Sequence, residues 1–178
     1  MNYAPISKCN GPLWEPKVWD DLNEIPHLKT NCYSYAFNYI DYGGSKLQPG
    51  ELSSGEFKEY TCENIFQKMK EDYKGIQKSY FKEDLDCSRY QIALAIDTIT
   101  GDDDFHFYRK DTNNYWSHKT GTNNVSMVDA SGDLIINPEY CDRDYHKLDK
   151  DDHNYNLFCG YYSIPNKEGP IVRSIEQV

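Results

Sequence analysis

Tyr90-Gln91-Ile92-Ala93-Leu94-Ala95-Ile96-Asp97-Thr98-Ile99 is the stretch on which the fold turns. It is a short apolar run rich in β-branched residues, and it predicts the clearest strand of the chain. On its C-terminal side, Asp102-Asp103-Asp104 reads as a polar connection. Phe105 to Arg109 and Tyr115 to Lys119 then form two more strands around Asp111-Thr112-Asn113-Asn114. Short strands at 125–128 and 134–136 flank Ala130-Ser131-Gly132-Asp133, and Leu157 to Ile164 supplies a last strand.

The N-terminal side is helical. Cys32, Tyr35, Ala36, Tyr39 and Ile40 recur at the spacing of one helix face, which predicts a helix from Asn31 to Tyr42 stopped by Gly43-Gly44. A second helix is expected from Thr61 to Lys74, with Cys62, Ile65, Phe66, Met69 and Tyr73 on one side and Gly75 after it. Helices first and a meandering antiparallel sheet second is an α+β arrangement. At 178 residues one domain spanning 1–178 is expected. Residues 1–30 hold four prolines and two tryptophans, and form an arm expected to pack near the start of the Cys32 helix and cover part of a cleft.

The chain carries 29 acidic and 19 basic residues, a net charge of −10. That balance argues against nucleic acid or an anionic membrane as partner, since both need a positive footprint. No apolar stretch approaches the length of a membrane span and no signal peptide is visible, so a cytoplasmic location is the default. Six cysteines occur without any C-x-x-C pair, which predicts mostly reduced thiols, no structural zinc and no cofactor.

Cys32 sits where the first helix begins. A helix N-terminus and a nearby imidazole are two of the few devices that lower a thiol pKa toward neutrality. His106 and His118 lie on the expected hairpin. Both face the same side only if paired residue numbers sum to an even value. A three-residue loop of Asp111 to Asn113 would set His106 directly opposite His118, with Cβ atoms roughly 5 Å apart. The amide of Cys32 and the side chain of Asn31 are candidate oxyanion donors. Asp129 is an alternative partner for the histidine, and Trp116 shares the face of His118. Core packing is the competing reading of Cys32, and surface exposure that of His118, His146 and His153.

Asn31-Cys32-Tyr33-Ser34-Tyr35-Ala36 resembles the start of the nucleophile helix in papain-like cysteine peptidases. The order of elements, and a second histidine a dozen positions after the first, resemble the compact NlpC-type and CHAP-type hydrolases. The Asp-Cys-Ser-Gly of many NlpC-type enzymes is absent. The resemblance implies a papain-like α+β fold with Cys32 as nucleophile, His106 as base and His118 as orienting residue. It implies a thiol protease or amidase acting on a peptide or protein substrate, cell-wall peptide included, or alternatively a glutamine deamidase. Trp116-Ser117-His118-Lys119-Thr120-Gly121 also resembles an uncharacterised group of bacterial and viral proteins, which implies no activity. A different class of function stands beside the enzyme reading. The same scaffold, with Trp14, Trp19, Trp116 and the tyrosines as contact face, would make a non-catalytic binding module.

Overall fold

The computed structural model describes residues 11–20, 29–41, 46–53, 55, 59–150, 152–166 and 171–173. Helix α1 (Pro16–Asp20) is followed by α2 (Cys32–Ala36), strand β1 (Tyr39–Asp41) and helix α3 (Cys62–Asp72). The remaining strands are β2 (Gln77–Ser79), β3 (Arg89–Asp97), β4 (Asp104–Lys110), β5 (Trp116–Lys119), β6 (Val125–Ser126), β7 (Leu157–Pro165) and β8 (Ile171–Arg173). Six of them form one antiparallel sheet in the order β2-β7-β3-β4-β5-β6, while β1 pairs in parallel with β8. The class is α+β. Among the described residues no helix is long and apolar enough to cross a membrane.

β3 is central and buried on both faces. Ile92, Leu94 and Ile96 point toward the helices, where they pack with Tyr33, Phe37, Ile65, Met69, Phe105 and Phe107. Ala93 and Ala95 point the other way, and their small size leaves room for Tyr108, Tyr155, Tyr161 and Trp116. Strand alternation thus sends the large aliphatics of β3 to the helix side and its alanines to the other, where aromatic rings fill the space they leave.

α3 matches expectation closely: the Thr61 side chain caps it by accepting from Asn64 N. The first helix is much shorter than its apolar stripe suggested. Asn38 takes a left-handed φ of 52°, and Tyr39–Asp41 then leaves as a strand. Tyr39 and Ile40 are buried as expected, but from an extended segment that sends them to opposite sides, Tyr39 into the helix-side core and Ile40 toward Trp19 and Tyr35. Leu134–Ile136 likewise forms only an isolated bridge, Val128 with Leu134.

The expectation of reduced thiols is wrong. Cys62 on α3 is bonded to Cys159 on β7, and Cys87 is also in a disulfide. Strict alternation would put Cys159 on the same side as Tyr161, away from α3. The register shifts between Leu94 and Ala95, where Gly160 (φ 134°) sits in the ladder. The resulting bulge turns Cys159 toward the helices while Phe158 and Tyr161 stay in the aromatic layer.

Of the arm, the described part packs on α2, β6 and the β4–β5 turn. Trp19 is buried edge-on against Tyr35 at 5.0 Å, Asp20 accepts from Val125 N, and Pro12 O accepts from Thr112 N. None of residues 11–20 lines the cleft described below, so the expected covering role is not met by them. Residues 1–10 and 21–28 lie outside the described set.

Candidate functional site

Asn31, Cys32 and His106 meet at a cleft of ≈ 360 Å³ that opens at the start of β4. Asn31 caps α2: its Oδ1 accepts from Ser34 N at 3.0 Å, and its Nδ2 donates to Leu47 O at 2.8 Å. The cap fixes Cys32 in the first turn. Its Sγ donates to Phe105 O at 3.6 Å, and the residue is only 5% exposed.

Burial, followed by the charge of Asp104, pushes the Cys32 thiol up to about 12, although nearby backbone N–H groups pull the other way. A five-residue helix surrounded by core has too little dipole to reverse the loss of hydration. Cys32 is therefore a thiol at neutral pH, opposite to the activated thiolate the helix start suggested. Cys32 clusters with Phe105 and Phe107, whereas His106 stacks on Tyr155 in the other layer. Strand alternation places them on opposite faces of β4, and no hydrogen bond joins them among the described residues.

The histidines do share a face, but in a different register from a three-residue loop. His118 pairs with Tyr108, and Lys110 with Trp116, because the turn runs from Asp111 to Tyr115 with Asn114 at φ 66°. His106 is thus a diagonal neighbour of His118, and its Nε2 still lies 2.8 Å from His118 Nδ1. His118 Nε2 lies 2.9 Å from Val128 O. A carbonyl only accepts, so His118 carries its proton on Nε2. Its Nδ1 then accepts from His106 Nε2, and His106 Nδ1 is left with a lone pair.

Asp129 does not orient His118. Its carboxylate accepts from the backbone of Ser131, Asp133 and Asp142 and shapes a turn. Trp116 is 1% exposed beside Tyr161, and Trp19 is 2% exposed. Two of the three tryptophans expected on a contact face are therefore core, while Trp14 is half-buried. His118, for which surface exposure was the competing reading, is buried, and so is Lys119, whose Nζ donates to Gly121 O and Asn123 O. Sequence reading missed the other wall of the cleft, Asp104, Asp152, His153 and Tyr155. Asp104 looked like one of three solvated acids and His153 like an exposed residue. No local signal marks them, since their meeting depends on the loop before β7 folding over β4.

Burial holds His106 well below the usual histidine range, with His118 and His153 adding to it, and burial holds His118 at about 4 against 6.5 unperturbed. Between these values the unfolded chain binds more protons than the folded one, so stability falls as pH falls from about 6.5 toward about 4. For His118 alone the loss amounts to about 3 kcal/mol. Asp104, raised by burial, works in the opposite sense at the acid end. Urea unfolding at neutral and mildly acid pH should show the drop, and His118→Gln should flatten it. Equal slopes in the two proteins would refute the assignment.

No family model matches the chain, and no solved structure matches it. Over 131 residues it is 31% identical to insoluble matrix shell protein 1 of Ruditapes philippinarum, a match covering 73% of this chain and 80% of that protein. The chain belongs to the family of that shell-matrix protein. This relative overturns the hydrolase reading of the sequence: a relative named as a matrix protein gives cysteine protease, thiol protease or amidase no support. The physical reason the motif misled is the burial of Cys32, which a cysteine at a helix start does not reveal.

Proposed function

We propose that the protein is a disulfide-stabilised, non-catalytic binding module that works in an insoluble extracellular matrix. The observation that carries this reading is the state of Cys32, a buried thiol bonded to a backbone carbonyl, with no hydrogen-bonded base among the described residues. The shell-matrix relative supports it. So does the Cys62–Cys159 bond, since disulfides persist in oxidising, extracellular settings and are rare in the cytosol. A cysteine-headed helix laid on an antiparallel sheet, with His106 on the adjoining strand, supports a papain-like scaffold for the module. The cleft at the start of β4 is its binding site.

Alkylation by iodoacetamide at about pH 6 tests the absence of thiol catalysis. In the oxidised protein Cys32 should react no faster than the half-buried free Cys141, whose thiol burial also raises. Selective rapid alkylation of Cys32 would refute the reading.

A further inference from the structure

The cleft has two chemically different ends. At one, Lys46 Nζ lies close to Gly121, beside Thr120, Thr122 and Asn123. At the other stand Asp104, Asp152, His153 and Tyr155, with His106 in the wall. Two donors at this second end are already used: Tyr155 OH donates to Asp104 Oδ2 at 2.8 Å, and Cys32 Sγ donates to Phe105 O. A third, the imidazole of His153, faces the carboxylates of Asp97 and Asp104. The acceptors of this end are the carboxylates and the His106 ring. His106 is 1% exposed, and among the described residues only its Nε2 is hydrogen-bonded, so Nδ1 keeps its lone pair. Asp104 has a single ion-pair partner among the described residues, His153 Nε2 at 3.4 Å.

We infer that this acceptor-rich end of the cleft docks a cationic side chain of a partner protein, a lysine ammonium or an arginine guanidinium. Both groups carry donors and no acceptors, which complements the Asp104 carboxylate and the His106 lone pair. The net charge of −10 draws a basic partner toward the molecule from a distance. The inference rests on the binding-module reading and gives that module a partner chemistry.

The test uses the full oxidised chain and two short glycine-serine peptides, one with a central lysine and one with the same lysine acetylated on Nε, titrated calorimetrically at neutral pH and low salt. The lysine peptide should bind, and acetylation should weaken it about tenfold or more, as loss of a charge-assisted hydrogen bond requires. Asp104→Asn keeps an acceptor for Tyr155 and should weaken the lysine peptide by a similar factor. Asp152→Asn should weaken it less, and Lys46→Gln should leave it unchanged or tighter. No binding of the lysine peptide, equal binding of the acetylated one, or an unchanged affinity in folded Asp104→Asn would each overturn the inference. Those outcomes leave the Cys32 alkylation result untouched, so the two readings fail separately.

Discussion

Arg109→Met is expected to destabilise the protein by about 3–5 kcal/mol, the range for breaking a buried ion pair from one side. Arg109 is fully buried, and its guanidinium meets Asp111 Oδ1 at 2.8 Å. It also donates to Tyr35 O, Asn38 Oδ1, Leu13 O and Tyr35 OH, and lies 3.9 Å over the Tyr35 ring. One side chain thus ties the N-terminal arm, the end of α2, the left-handed Asn38 and the β4–β5 hairpin together. Removing it strands the Asp111 carboxylate, which among the described residues would keep only Ser117 as a side-chain partner. Arg109→Met combined with Asp111→Asn should therefore lose less than the sum of the two single changes. Urea unfolding of all four proteins measures this coupling. Simple additivity would mean that the pair is not a unit.

Opening the Cys62–Cys159 disulfide should cost about 4–5 kcal/mol, because it closes a loop of 97 residues and the chain-entropy effect grows with loop length. That is a large fraction of the stability of an ordinary domain. The bond joins α3 to β7 across the helix-side core, so its loss frees the helix that covers Ile92 and Leu94. The comparison is Cys62→Ser/Cys159→Ser against the oxidised parent, again by urea unfolding. A difference below about 1 kcal/mol would show that core packing alone holds α3 in place.

Those two predictions rest on features that sequence patterns hid, and the reasons are physical. A charged residue in a strand reads as solvent-facing, so Arg109 and Lys119 gave no sign of burial; each is buried because backbone or carboxylate acceptors surround it. The disulfide was invisible because a single extra residue at the bulge reverses the side of the sheet that Cys159 faces. By contrast, α3 and β3 were legible from residue spacing, since a capped amphipathic helix and a continuous apolar run each have one reading at their length. The passage from Ala36 to Asp41 was ambiguous, because Tyr39 and Ile40 satisfy helix and strand burial alike and Asn38 alone decides.

At the site, the convergence of Cys32 and His106 on one cleft was legible, as was the shared face of His106 and His118. Their chemistry was not. Alternation correctly separated Phe105 from His106, and that separation leaves Cys32 among phenylalanines while His106 turns to His118 and Tyr155. The electrostatic state of each group then follows from burial, which no motif encodes. Asp104 and His153 escaped notice because they come from segments that meet only in the folded chain.

The ionisation of Cys32 itself is the most direct test of the account. Following the Cys32 Cβ resonance in a selectively labelled, oxidised protein from neutral to alkaline pH reports the thiol without any reagent having to reach it. Cys32 should stay protonated through the physiological range and titrate near 12, or only as the protein unfolds. A midpoint near or below neutrality would mean an activated thiolate, and would contradict the reading of this chain as a non-catalytic module.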